Sequence, residues 1–261
     1  MSKEEKKQKN TTDMPLLSAA IITFNEERII EKTLSAIDNW VDEIIVVDSY
    51  STDNTLNILD MFNVKLIQRK WEGYSKQKNY VISQCTGDWI LVLDADEIVT
   101  EPLKAEISKV IKKPDKKCGY KVARKFFIGD KWIKYGGYYP DYQLRLFKKD
   151  AKGYFKERAV HESISFEDED TAQIGYLKNP LEHYAYKDLN EYQETLDKYA
   201  VLASKEVKNK GFYMPLIRSA WAFGYRYFIR KGYLEGKTGL DLAKAYSEYV
   251  YKKYDLALNK K

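Results

Sequence analysis

The chain has 261 residues, 44% of them hydrophobic and 32% charged, and a formal net charge of +5. This composition describes a globular protein with a sizeable core, and it excludes a membrane-spanning chain because no run approaches the roughly 18 uninterrupted apolar residues required. The basicity is local: residues 205–261 carry thirteen Lys/Arg against five Asp/Glu, which points to an anionic partner, either nucleic acid or a membrane surface.

Residues 1–14 open with MSKEEKKQKN, which lacks the apolar stretch of a signal peptide and is expected to be a disordered tail. Cys85 and Cys118 form no metal-ligand pattern, and without an export signal no disulfide is expected. Cytoplasm is the default location. Leu16 to Phe24 then reads as a first buried strand running into Asn25-Glu26-Glu27. The spacing of Ile29, Ile30, Leu34 and Ile37 predicts a helix over 27–39. Glu43 to Val47 is a second strand ending at Asp48. The loop 49–54 offers N-cap residues for a helix over 55–62, and 64–67 is a third short strand. Tyr74 to Gln84 reads as a helix carrying Lys76, Gln77, Lys78 and Asn79.

The apolar run Trp89 to Leu93 is continuous, as expected of a strand buried on both faces, and it stops at Asp94-Ala95-Asp96-Glu97. The pattern from 16 to 97 is therefore β-α-β-α-β-α-β. That alternation predicts a doubly wound parallel sheet whose strands end along one edge, where such sheets bind ligands. Acids sit at three of those ends: Glu26/Glu27, Asp48 and Asp94/Asp96. The i, i+2 spacing of Asp94 and Asp96 points both to one side of an extended chain. Their hard oxygens suit Mg²⁺ or Mn²⁺ shared with substrate phosphates, although the triplet alone also fits a solvated turn.

From Tyr120 the segments become short and aromatic-rich, with turn signals at Gly129-Asp130 and Gly136-Gly137, so a β-rich extension of the same domain is expected. Asp141 follows Pro140 and either caps a turn or supplies a catalytic carboxylate. Arg145, on the alternating strand Gln143 to Phe147, suits bidentate phosphate contact or a salt bridge within the sheet. The two histidines are His161 and His183. A neutral imidazole can complete a metal site, and His161 is the one singled out; His183 is assigned to packing. Residues 190–208 have helical spacing. Residues 214–231 predict an amphipathic helix with Arg218, Arg226 and Arg230 on one face and Trp221, Phe228 and Ile229 on others. Such a helix either lies in a membrane interface or packs its aromatics on the rest of the protein.

Phe24-Asn25-Glu26-Glu27, Val46 to Ser49 with Ser51 to Thr55, Lys78-Asn79 and Leu93 to Glu97 resemble, in order and spacing, the signatures of inverting family 2 glycosyltransferases. Pro140 to Phe147 and Val160-His161-Glu162 narrow the likeness to the bacterial lipopolysaccharide-core glucosyltransferase type. The resemblance covers residues 16–165 and, loosely, the tail. It implies a Rossmann-like A-type α/β fold with a helical, basic C-terminal extension. Residues 15–185 would be the catalytic domain, split into a nucleotide-binding half (15–118) and an acceptor half (119–185), and 186–261 the extension.

The same resemblance assigns roles. Phe24, Asn25, Glu26, Glu27 and Asp48 would hold uracil and ribose, Asp94 the ribose, and Lys78 and Asn79 the closed pocket. Asp96 and His161 would hold a Mg²⁺ or Mn²⁺ ion. Asp141 would be the general base, although Pro140 replaces the acid that usually precedes it. Arg145 and Gln143 would contact the diphosphate or acceptor. The implied donor is a nucleotide-diphosphate sugar, expected to be UDP-linked. The implied acceptor is a glycan or lipid-linked glycan, such as a lipopolysaccharide core or another cell-envelope polysaccharide, met peripherally at the inner face of the membrane. Two other classes remain weaker. A nucleotidyltransferase would need a Gly-rich phosphate loop where TFNEE stands, and a nucleic-acid binder would need a recognition motif that the basic, aromatic tail lacks.

Overall fold

In the computed structural model, which describes residues 14–156, 163–168, 170, 172–207 and 211–259, the strand–helix alternation builds one half of a mixed sheet. Strands β1 (Leu17–Thr23), β2 (Glu43–Asp48), β3 (Lys65–Gln68) and β4 (Trp89–Asp94) are mutually parallel in the order β3-β2-β1-β4. Side chains alternate between the two faces of a strand, and both faces here are covered. Ala19, Ile21, Val46, Leu91 and Leu93 join one core, with Ile30 and Leu34 of helix α1 (Ile30–Ser35) and Leu59 of α2 (Thr55–Leu59). Ala20, Ile45, Val47, Ile90 and Val92 join the other, with Val81 of α3 (Tyr74–Gln84). Burial on both sides is why these strands read as unbroken apolar runs.

Helix α1 is shorter than its periodicity predicts. The amides of Asn25, Glu26 and Glu27 donate to side chains of the 51–55 loop, and the Glu26 carbonyl accepts from both Ile29 and Ile30 in a turn. Those peptide groups are committed before the helix can start.

After β5 (Glu97–Ile98), helix α4 (Glu101–Lys112) begins with Pro in its first turn and turns Leu103, Ile107 and Ile111 into the first core. The expected β-rich extension follows as β6 (Gly119–Ile128), β7 (Lys131–Ile133) and β8 (Asp141–Lys148). Strand β8 inserts antiparallel between β4 and β6, pairing Trp89 with Lys148 and Leu91 with Leu146. Its first residue, Asp141, therefore falls at the edge where β4 ends. Strands β9 (Tyr154–Phe155) and β10 (Ile164–Ser165) form a separate small ribbon. Strands β11 (Ile174–Tyr176) and β12 (Leu181–Tyr186) run parallel to β6, and β12 also pairs with β5.

Helix α5 (Leu189–Ser204) is capped by the Asp188 carboxylate, which accepts from the Asn190 and Glu191 amides. Helix α6 (Met214–Gly224) continues into a wider π turn over Tyr225–Ile229, and α7 (Lys237–Leu258) closes the chain. Ile128 and Ile133 from the sheet pack with Tyr192, Leu196 and Leu242 from α5 and α7 in a third core. A Cβ at Gly239 of α7 would lie 1.9 Å from the Gly232 carbonyl oxygen, so only glycine permits this approach. The loop before Asp141 is held from the same side. The Gly136 amide donates to the Arg230 carbonyl at 2.8 Å, Arg226 Nη1 donates to the Gly136 carbonyl at 2.9 Å, and Glu235 Oε1 accepts from the Lys134 and Tyr135 amides.

Candidate active site

Parallel register sets Thr23 opposite Asp48 and Ile22 opposite Asp94, so the turns after β1, β2 and β4 emerge side by side. The first two are laced together. Asn25 adopts a left-handed conformation (φ 55°), which its short amide tolerates, donates its N–H to Ser51 Oγ at 2.9 Å and accepts the Thr52 N–H at 2.8 Å. Glu27 accepts the Asn54 amide at 2.8 Å. These two expected nucleotide contacts thus shape the loops that flank the cleft. Asp48 is wholly buried, and its oxygens accept from the Ser51 amide (2.9 Å), Ser51 Oγ (2.5 Å) and Gln68 Nε2 (3.4 Å). It fixes the turn that follows β2. Phe24 is 53% exposed at the rim. The half-buried Glu26 carboxyl is pushed up to about 7, first by burial and then by the negative charge of Asp96.

Asp94 and Asp96, two residues apart where β4 ends, have different partners. Asp94 faces cations: Lys78 Nζ at 2.7 Å, Arg145 Nη2 at 2.5 Å and Arg124 Nη1 at 3.7 Å. Burial opposes its ionisation, but Arg145, then Lys78 and Arg124, hold it well below the usual carboxylate range. Beneath it Glu97, with no exposed surface, accepts from Arg145 Nη2 at 2.5 Å and Arg124 Nη1 at 3.0 Å. Arg145, expected to meet the diphosphate, is 4% exposed and is held under Asp94 by these two acids. Asn79, expected to close the pocket, exchanges two hydrogen bonds with the Phe155 backbone at 2.9 and 2.7 Å and so anchors β9.

Asp141 stands opposite Arg124 in the β6–β8 register and accepts from its Nε at 2.8 Å as well as from its Nη2. Gln143 donates to the other Asp141 oxygen at 2.9 Å, so Gln143 positions that carboxylate. Burial raises the Asp141 carboxyl, yet the Arg124 charge outweighs it and keeps the group below its ordinary value. The Asp141 side chain retains 40% exposure.

The residue that sequence reasoning assigned to packing is the one that meets Asp96. Strand β12 places His183 opposite Glu97, and its Nε2 lies 3.2 Å from Asp96 Oδ2. Burial lowers the imidazole, but Asp96 prevails and raises it; burial raises Asp96, but His183 holds it below its ordinary value. His161 lies outside the described residues. A carboxylate oxygen and an imidazole nitrogen are both donors that suit a divalent ion. Among the described residues no cluster of three such donors forms, so an ion held by this pair would need substrate oxygens and water as well, which is common for Mg²⁺.

Residues 18–184 match the family described as Glycosyl transferase family 2. The chain belongs to that family. It is 30% identical over 238 residues to a Rickettsia felis protein described as an uncharacterized glycosyltransferase, covering 87% of this chain and 83% of the relative. It is 27% identical to the lipopolysaccharide core biosynthesis glycosyltransferase LpsC of Rhizobium meliloti, covering 92% and 93%. Its fold resembles that of the mannosyltransferase PcManGT of Pyrobaculum calidifontis, solved in complex with GDP-Man and Mn²⁺, with a TM-score of 0.54 at 15% identity over 95% of this chain and 88% of the other. The expected A-type α/β fold and helical C-terminal region are thus observed in this family 2 glycosyltransferase.

The buried ionic network of this glycosyltransferase has a measurable role in stability. Glu97→Ala leaves the Arg124 and Arg145 guanidinium groups short of a buried counter-charge and is expected to destabilise the fold by about 3–5 kcal/mol. Urea unfolding measures this, and a variant as stable as the parent would show that Glu97 is not what balances the two arginines.

Proposed function

We propose that this enzyme transfers a sugar from a nucleotide-diphosphate donor, with inversion, to a glycan or lipid-linked glycan of the cell envelope. The lipopolysaccharide core is the leading example, and it is met at the anionic inner face of the membrane. The observation that carries the reading is the division of labour, among the described residues, between Asp94, tied to three cations, and Asp96, tied to the His183 imidazole alone. A carboxylate already neutralised by Lys78, Arg124 and Arg145 has little left for a metal. One whose partner is an imidazole can release it to a cation, and the neutral imidazole can bind alongside.

Asp96 and His183 would hold Mg²⁺ or Mn²⁺, which supplies charge to offset the leaving diphosphate. Lys78 and Arg124 set a positive field beside the same position. Asp141 takes the proton of the acceptor hydroxyl as its oxygen attacks the anomeric carbon and the bond to the diphosphate breaks. Held below its ordinary value by Arg124, Asp141 is ionised throughout the neutral range, so it is always in the proton-accepting form. The laced loops 24–28 and 49–55 support the reading of a nucleotide pocket, with Glu26 and Phe24 facing the base and ribose.

UDP is the proposed donor nucleotide; the fold neighbour PcManGT was solved with GDP-Man, so the two must be separated directly. Calorimetric titration with UDP and with GDP, each with and without Mn²⁺, is expected to give micromolar binding of UDP that needs the metal. Binding of GDP alone would reassign the donor, and binding of neither would remove the nucleotide-sugar reading.

A further inference from the structure

We propose that the outward face of α6 and its π turn seats this protein on an anionic lipid bilayer. The inference takes up the membrane-borne acceptor of the preceding reading and identifies the surface that would meet the membrane. One side of this helix is buried: Pro215 and Ser219 pack inward, and the Ser219 carbonyl accepts from Ser247 Oγ of α7 at 2.9 Å. The other side is open. Leu216, Ile217, Trp221, Phe228 and Ile229 are each about 60% exposed, and Tyr225 adds an exposed ring stacked beside Trp221. Ile217, Trp221, Tyr225 and Phe228 follow one another at three or four residues, so they form one stripe along roughly 17 Å of helix, with Ile229 beside it. Scattered single apolar residues on a surface are ordinary; a contiguous stripe of this kind marks a contact site.

The charges around the stripe select its occupant. Residues 211–234 contain no Asp or Glu, and Arg218, Arg230 and Lys231 are exposed beside the apolar side chains. Arg226, expected to share their face, is instead turned inward, on the side of the buried Ser219 seven residues before it. Its guanidinium lies 3.6 Å from the centroid of the Tyr246 ring and its Nη1 bonds the Gly136 carbonyl. What remains outside is an apolar stripe with Trp and Tyr among its members and cations along its margin. That combination fits acyl chains and lipid phosphates together. A second copy of the chain fits less well, because a two-fold contact through this face would bring its uncompensated cations together. Among the described residues no helix is long and apolar enough to cross a membrane, so the helix would lie in the plane of the interface.

The test is flotation of the full chain with vesicles of equal parts phosphatidylglycerol and phosphatidylcholine, compared with phosphatidylcholine alone. The expected result is binding to the anionic vesicles that weakens with salt. Ile217→Ser/Trp221→Ser/Phe228→Ser should lower the partition coefficient by at least about tenfold, and Arg218→Glu by roughly fivefold. Thermal unfolding should leave both variants at the parent's midpoint, since the replaced side chains are exposed. Should the triple variant fail to fold, lipids brominated on their acyl chains still decide the matter in the intact chain. Trp221 should be quenched, and a Trp221→Phe chain should lose that component. Absence of binding to anionic vesicles, undiminished binding by the folded triple variant, or quenching identical in Trp221→Phe would each overturn the proposal. So would a dimer that the triple variant dissociates. None of these assays uses a nucleotide, so failure here leaves the UDP titration standing, and failure there leaves this one standing.

Discussion

Asp96→Ala is expected to lower turnover by about a thousandfold or more, in line with the several kcal/mol of charge stabilisation a bound metal contributes. The same substitution should abolish the Mn²⁺ dependence of nucleotide binding. The expectation follows from the partners of each acid. Removing Asp94 would disturb three cations at once, and a loss of activity there could be mere disorder of the ion network. Among the described residues Asp96 has a single ion-pair partner, the His183 imidazole, and its side chain is 19% exposed. Its loss can therefore be read as loss of a ligand. The measurement is calorimetry with UDP and Mn²⁺ alongside release of nucleotide in the presence of acceptor glycolipid. If Asp96→Ala still binds UDP in a manganese-dependent way, the cation is held elsewhere.

The second large effect is expected at Asp141. Asp141→Asn removes the proton acceptor but keeps the shape and the hydrogen bond from Gln143, so kcat should fall by roughly 10²–10⁴-fold while UDP affinity is unchanged. Arg124 does not lose all its counter-charge, since Glu97 Oε1 remains 3.0 Å from its Nη1, and the fold should persist. Single-turnover transfer separates chemistry from donor binding. Normal turnover in this variant would mean that another group takes the proton.

Much of the donor half was legible in the sequence because its determinants are local. Apolar runs that stop abruptly at Asp48 and Asp94 need only the rule that charged side chains end a buried strand, and the parallel order then carries those ends to one edge. Helix α4 is equally local in its signals, with Pro102 in the first turn and Leu103, Ile107 and Ile111 four apart.

What stayed hidden depends on register between distant segments. Nothing near Arg124 states that it faces Asp141, because that pairing follows from how β6 and β8 align. Arg145 fitted either a phosphate contact or a salt bridge within the sheet; it makes the latter, and alternation alone does not say which face lies under Asp94 and Glu97. His183 gave the weakest signal of all. Its flanks, Glu182 and Tyr184, form no recognisable ligand motif with it, and only the insertion of β12 beside β5 brings it to Asp96. Arg226 was misplaced for another reason: eight residues after Arg218 is about 80° of helical rotation, whereas seven after Ser219 is only about 20°, so it belongs with the buried side of the helix.

The pairing of Asp96 with His183 also bears on the order in which the protein can become competent during synthesis. Asp96 leaves the ribosome with the parallel strands, whose contacts are comparatively close in sequence, whereas His183 arrives only after β6, β8 and the intervening loops have been made. A nascent chain can thus fold its parallel strands before the His183 side of this pair has been made. On the proposed reading of the pair as cation ligands, the half-made chain holds one of the two until β12, the last strand in sequence, joins the sheet.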